Sequence, residues 1–140
     1  MEQTQSTRSG WFGDSVPVRA LFAVVLASLV NAGIVFATQT LEIAPDFMAL
    51  RYPPVVFLTH LGVLGAAAVY SQLDRFVAAR ERAFRRIAVV VLVISFVPDV
   101  ALLAVDPAAT VAGVVVLMAM HVVVAGVAVG LLAGFPGGDR

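Results

Sequence analysis

The distribution of charged residues constrains the fold of this chain more than any other feature of its sequence. Residues 20–41, 52–73 and 107–138 contain no charged side chain, and residues 87–105 contain only Asp99. A helix rises about 1.5 Å per residue, so about 20 apolar residues are enough to cross a hydrocarbon layer of about 30 Å. The sequence therefore predicts four transmembrane helices, which span residues 20–41, 54–73, 87–105 and 110–134.

The composition excludes a soluble domain. Of the 140 residues, 61% are hydrophobic and 13% are charged, whereas about 25% of the residues in a soluble domain are charged. A membrane β-barrel is excluded as well, because its strands alternate apolar and polar residues and the run from Ile87 to Phe96 does not alternate. The expected fold class is all-α: a transmembrane antiparallel four-helix bundle that forms a single domain over residues 20–134.

The arginines predict the orientation of this bundle. Short loops rich in Lys and Arg stay on the cytoplasmic side of a membrane. If both termini lie on one side, that side carries eight arginines and the other side carries only Arg51. We therefore expect the N-terminal tail (residues 1–19) and the C-terminal tail (residues 135–140) to be cytoplasmic. This orientation describes a multi-pass protein of the cell membrane.

The first apolar stretch has an alternative interpretation as a cleaved signal peptide. Residues 21–30 are long enough for its hydrophobic region, and residues 35–37 offer a small residue at a cleavage position. Two features favour a retained helix. The apolar run continues through Ala37, and the segment before it is long and carries two acids beside its two arginines.

A basic segment separates the second and third spans. Residues 74–86 read DRFVAARERAFRR, and we expect them to prolong both helices beyond the membrane surface. Their arginines could bind anionic lipid headgroups, or they could be the ordinary signal for cytoplasmic orientation, which the sequence favours. The candidate lipid-contact residues are Arg75, Arg80, Arg82, Arg85 and Arg86.

Small residues share one face of the fourth span, opposite His121. Helices in lipid associate where small residues let their backbones approach closely. This face could pack on another helix of the same chain, or it could meet a second copy while His121 points into the bundle. Its residues, called the helix-four ridge, are Ala112, Ala119, Gly126, Gly130 and Gly134.

Four polar residues lie within the predicted spans, where each needs a partner: Asn31, His60, Asp99 and His121. Counted from the outer ends of the spans, His60 and Asp99 lie about 9 Å deep, and Asn31 and His121 lie about 15 to 17 Å deep. We therefore expect contacts between His60 and Asp99 and between Asn31 and His121. The two histidines differ in depth by about 7 Å, which disfavours a bis-histidine haem.

These residues leave the function open between two classes. The sequence contains no cysteine and carries no net charge, so thiolate metal sites and nucleic-acid binding are not expected. No nucleophile has an adjacent base, and no cofactor or metal motif is present. We expect a non-enzymatic interaction or structural membrane component that forms a homo-oligomer or binds another membrane protein. The alternative is a small proton- or solute-conducting protein that uses His60 and Asp99.

The chain from Ala20 to Phe135 resembles an uncharacterised family of small four-helix bacterial and archaeal integral membrane proteins. The resemblance rests on Asn31, on the Pro53–Pro54 pair at the start of the second span and on two further pairs: Ser95 with Pro98, and Met120 with His121. It implies the four-helix membrane fold. It implies no activity, because the function of that family is unknown.

Overall fold

The structure is a computed structural model that describes residues 15–134. This part of the chain is all-helical and contains no strand. Each of the four helices is long and apolar enough to cross a membrane, which indicates a membrane protein. A short 3-10 helix, Met48–Leu50, precedes the second of them. The four helices are α1, Val16–Thr40; α2, Tyr52–Leu73; α3, Arg80–Val105; and α4, Val111–Ala133.

The ends of the helices follow local sequence signals. Pro17 lies in the first turn of α1, where a missing N–H costs no helical hydrogen bond. Thr110 caps α4, since its hydroxyl accepts a hydrogen bond from the N–H of Gly113 at 3.0 Å. Gly134 ends α4 with a φ of 73°, a backbone conformation that suits glycine. The third helix begins at Arg80 instead of residue 87, so the basic segment prolongs α3 but not α2.

Small residues bring α1 against α2 and α4. Ala20, Ala23 and Ala27 are buried on one face of α1, and this spacing allows close approach of helices. Ala23 and Ala27 form a core cluster with Val63 of α2, and Val124 of α4 packs against it. The centre of the molecule is therefore built from α1, α2 and α4.

The third helix lies at the edge of this arrangement. Phe84 and Asp99 are its two buried residues among those described. It packs along α4 but makes few contacts with α2. The contact between His60 and Asp99 expected from the sequence requires α2 and α3 to lie side by side, yet a cavity lies between α2 and the first half of α3. One reason is that α3 has valines on several faces and no stripe of small residues that would allow close approach.

The segment between α1 and α2 folds back onto one end of the helices. Phe47 is 0% exposed and packs in a core cluster with Val35 of α1 and Val114 of α4. The α4 backbone comes close to it at Gly113, where an added Cβ would lie 2.9 Å from Cδ1 of Phe47. This glycine makes room for the phenyl ring, which covers that end of the helices.

Candidate functional site

The ionisable side chain of α3 meets a histidine of α4. Oδ2 of Asp99 lies 3.1 Å from Nδ1 of His121, and the Asp99 residue is 5% exposed. The same Nδ1–H donates to the carbonyl of Leu117 at 2.9 Å, so it is not directed at the carboxyl group, whose Oδ2 accepts no hydrogen bond within the described residues. The contact places the carboxyl group beside the imidazole ring inside an apolar layer, where an isolated charge would be costly.

The expected pairing of Asp99 with His60 is wrong. His60 is half-buried, and its Nδ1–H donates to the carbonyl of Val56 in its own helix at 2.8 Å. Its ring lines a shallow surface depression with Tyr52 and Phe57. His60 therefore lies on a different surface from Asp99 and has its hydrogen bond within α2.

The second expected pairing, between Asn31 and His121, is replaced by one between α1 and α2. Nδ2 of Asn31 donates to Oγ1 of Thr59 at 2.9 Å. Both residues are 2% exposed, and Oδ1 of Asn31 has no hydrogen-bond partner within residues 15–134. The buried amide is thus only half satisfied, which is unusual for a buried polar group.

A cavity of about 410 Å³ lies beside Asn31 and His121. The helices α2 and α3 form its sides, and α4 forms its floor. Asn31, Thr59 and His121 line it together with Ser95, whose hydroxyl donates to the carbonyl of Leu92. All other lining residues are apolar or glycine. The candidate site is therefore an apolar cavity with a few polar groups that converge on it, which is the usual composition of a small-molecule site.

The helix-four ridge is divided between the surface and the interior. Ala112, Ala119 and Gly126 are exposed, whereas Gly130 is buried. A Cβ added at Gly126 would meet no atom within 4 Å among the described residues. This part of the ridge faces away from the cavity, so it is available to another molecule.

Two of the five arginines expected at lipid headgroups have partners within the protein. Nη2 of Arg85 donates to the carbonyls of Ala133 at 3.3 Å and of Gly134 at 2.9 Å. These carbonyls lie at the end of α4, where the helix itself supplies no donor. The guanidinium group of Arg80 lies 4.4 Å from the ring centre of Tyr70. The exposed arginines, for which lipid contact remains a prediction, are Arg75, Arg82 and Arg86.

Sequence reasoning missed Thr59 as the partner of Asn31. Threonine hydroxyls inside a membrane helix can bond to their own backbone, so a threonine in an apolar run does not signal a partner. The position of Thr59 next to His60 was a clue, because consecutive residues of a helix point in different directions. Thr59 and His60 therefore cannot both face the interior, and either of them was a candidate partner for Asn31.

The model of one protein family, DUF6069, described as a family of unknown function, matches residues 12–136. No curated protein and no solved structure was found to match the chain. The matched region contains all four helices and every residue of the candidate site. The comparison therefore assigns the whole described structure to one family without naming an activity.

Proposed function

Since this chain belongs to DUF6069, a family of unknown function, we propose its role from its structure and charge pattern. This membership confirms the family resemblance of the sequence. We propose that the protein is a multi-pass component of the cell membrane. Its helices form an antiparallel bundle with both termini in the cytoplasm. The arginine distribution supports this orientation.

Single cysteines test the orientation, because the chain contains none of its own. Asp46 and Ala79 are both exposed and lie in opposite connections of the bundle. Asp46→Cys should react with a membrane-impermeant maleimide in intact cells, and Ala79→Cys should react only after the membrane is opened. The reverse pattern would contradict the proposed orientation.

We propose further that the protein is a non-enzymatic interaction component that self-associates through α4. The observation that carries this proposal is the exposed part of the helix-four ridge. A partner helix could approach closely at Gly126, where space is open. Close approach at small residues is a principal source of helix association in lipid, because apolar contact alone gains little there.

A leucine at Gly126 tests the self-association. Gly126→Leu should shift the detergent-solubilised protein from oligomer toward monomer, because its side chain would keep two backbones apart. The readout is the mass of the protein without detergent, from light scattering. Gly33→Leu is the matched control, since Gly33 is exposed on α1 and also has open space around it. An oligomer that both variants retain would exclude this surface, and a monomeric unaltered protein would exclude self-association.

A second candidate function is the conduction of protons or a small solute. The sequence predicted that His60 and Asp99 would serve this conduction. We propose Asp99 and His121 for that role instead, because these two residues are in contact and His121 lines the cavity. Ionisable groups inside a membrane commonly mark ion or proton pathways. In proteoliposomes, Asp99→Asn should abolish a flux that His60→Gln leaves intact. Absence of flux from the unaltered protein would exclude this candidate.

A further inference from the structure

The cavity between α2, α3 and α4 has the size and the walls of a binding site. Its volume of about 410 Å³ falls within the range of about 300–1,000 Å³ that is typical of small-molecule sites. Leu58 and Leu61 of α2 and Val91 of α3 line it and are each more than half exposed. These three residues form a rim, so a molecule dissolved in the membrane could enter between α2 and α3.

A buried amide that lines this cavity has one end without a hydrogen-bond partner. Asn31 lines the cavity and is 2% exposed. Its side chain donates a single hydrogen bond, to the hydroxyl group of Thr59. If the amide is turned over, Thr59 donates to the oxygen and the NH₂ group is left without a partner instead. In either orientation, one end of this buried amide requires a hydrogen-bonding group that the described residues do not supply.

The other polar groups at the cavity narrow the chemistry of a ligand. The hydroxyl of Ser95 is bonded to a backbone carbonyl, and Nδ1 of His121 is engaged by Leu117 and Asp99. Among the described residues, no arginine and no carboxylate lines the cavity, and the ionisable side chain that does line it, His121, is already paired with Asp99. A charged ligand would therefore have no opposite charge to offset the loss of its hydration. A hydroxyl group, which both donates and accepts, satisfies Asn31 in either orientation of the amide.

We propose that this cavity binds an uncharged single-chain lipophilic alcohol. Its chain lies in the apolar crevice between α2 and α3, and its hydroxyl group hydrogen-bonds the free end of the Asn31 amide. The site lies on the opposite side of α4 from the exposed ridge residues. Binding therefore does not depend on self-association, and either proposal can fail without the other.

A photoreactive ligand tests the site on the unaltered protein. The probe is 1-hexadecanol with a diazirine in its chain, added to the full chain in phosphatidylcholine nanodiscs. Mass spectrometry should locate the crosslinks at the cavity walls, for example at Leu61 and Val91. Unlabelled 1-hexadecanol should compete about tenfold better than hexadecane, the ratio that one net hydrogen bond gives. Equal competition would exclude recognition of the hydroxyl group.

Variants separate the cavity from ordinary lipid contact. Gly65 lines the cavity and has no atom within 4 Å of an added Cβ, so Gly65→Leu should fill the space and remove the labelling. Gly33→Leu, outside the cavity, should leave the labelling unchanged. Asn31→Leu should keep the labelling but lose the preference for the alcohol over the alkane.

Labelling that is spread evenly over all helices, or that survives Gly65→Leu, would overturn the proposal. Circular dichroism checks that each variant retains its helical content. If Asn31→Leu fails to fold, the competition between alcohol and alkane on the unaltered protein still decides the role of the hydroxyl group.

Discussion

Phe47→Ala should destabilise the protein by about 3 to 5 kcal/mol, the range observed when a buried phenylalanine is truncated. The side chain is 0% exposed and packs against α1 and α4. Its loss removes these contacts and leaves a cavity where the loop meets α4 at Gly113. A reversible denaturant titration in detergent micelles measures the change. Phe36→Ala is the control, since Phe36 is 66% exposed and its truncation should change stability by no more than about 0.5 kcal/mol.

A companion substitution at Gly113 tests the same contact from the other side. In Gly113→Ala, the new Cβ would lie 2.9 Å from Cδ1 of Phe47 and 3.0 Å from Cβ of Ala44, so the variant should be destabilised by overpacking. The same change should cost less in the Phe47→Ala background, because the ring is then gone. Equal costs in both backgrounds would show that Phe47 and Gly113 do not touch.

His121→Leu should destabilise the protein by about 2.5 to 3.5 kcal/mol, because it leaves the Asp99 carboxyl group inside the membrane without its partner. Replacement of both residues by leucine should recover most of that loss, since apolar residues of similar size often substitute well for a buried pair. The measurement is the same denaturant titration, applied to the two single variants and the double variant.

The matched control for this pair is His60→Leu. Because His60 bonds only to its own helix and lies at the surface, its replacement should change the free energy of unfolding by no more than about 0.5 kcal/mol. If His60→Leu cost as much as His121→Leu, the loss at His121 could not be assigned to its pairing with Asp99. Strict additivity of the Asp99 and His121 substitutions would refute the pairing.

The sequence identified the polar residues of the site but not their partners. Asn31, Asp99 and His121 are conspicuous because polar side chains are rare in apolar spans. Counting their depths led to the wrong pairs, since it treated side chains as perpendicular to the helix. In a helix the Cα–Cβ bonds tilt toward the N-terminus. The helices α3 and α4 are joined by a short connection and run in opposite directions. The side chains of Asp99 and His121 therefore tilt toward each other, which closes the difference in depth between their Cα atoms.

For the helix-four ridge, too, the sequence identified the residues but not their surroundings. Its shared face follows from the helical period and is readable in the sequence. Whether each member is covered depends on which helices lie beside it, and the structure exposes Gly126 while it buries Gly130. Likewise, the arginine run predicted a charged connection, but only the fold brings Arg85 to the end of α4.

The sequence by itself determined the four helices, because the length and apolar character of a membrane span are local properties. A helix satisfies its own backbone hydrogen bonds, so each span can be recognised without reference to the others. Only the tertiary structure decided how the helices surround the cavity. In lipid that packing depends on small differences in side-chain fit between surfaces that are all apolar. This packing of the helices leaves α2 in loose contact with α3. It also leaves one end of the Asn31 amide without a partner among the described residues.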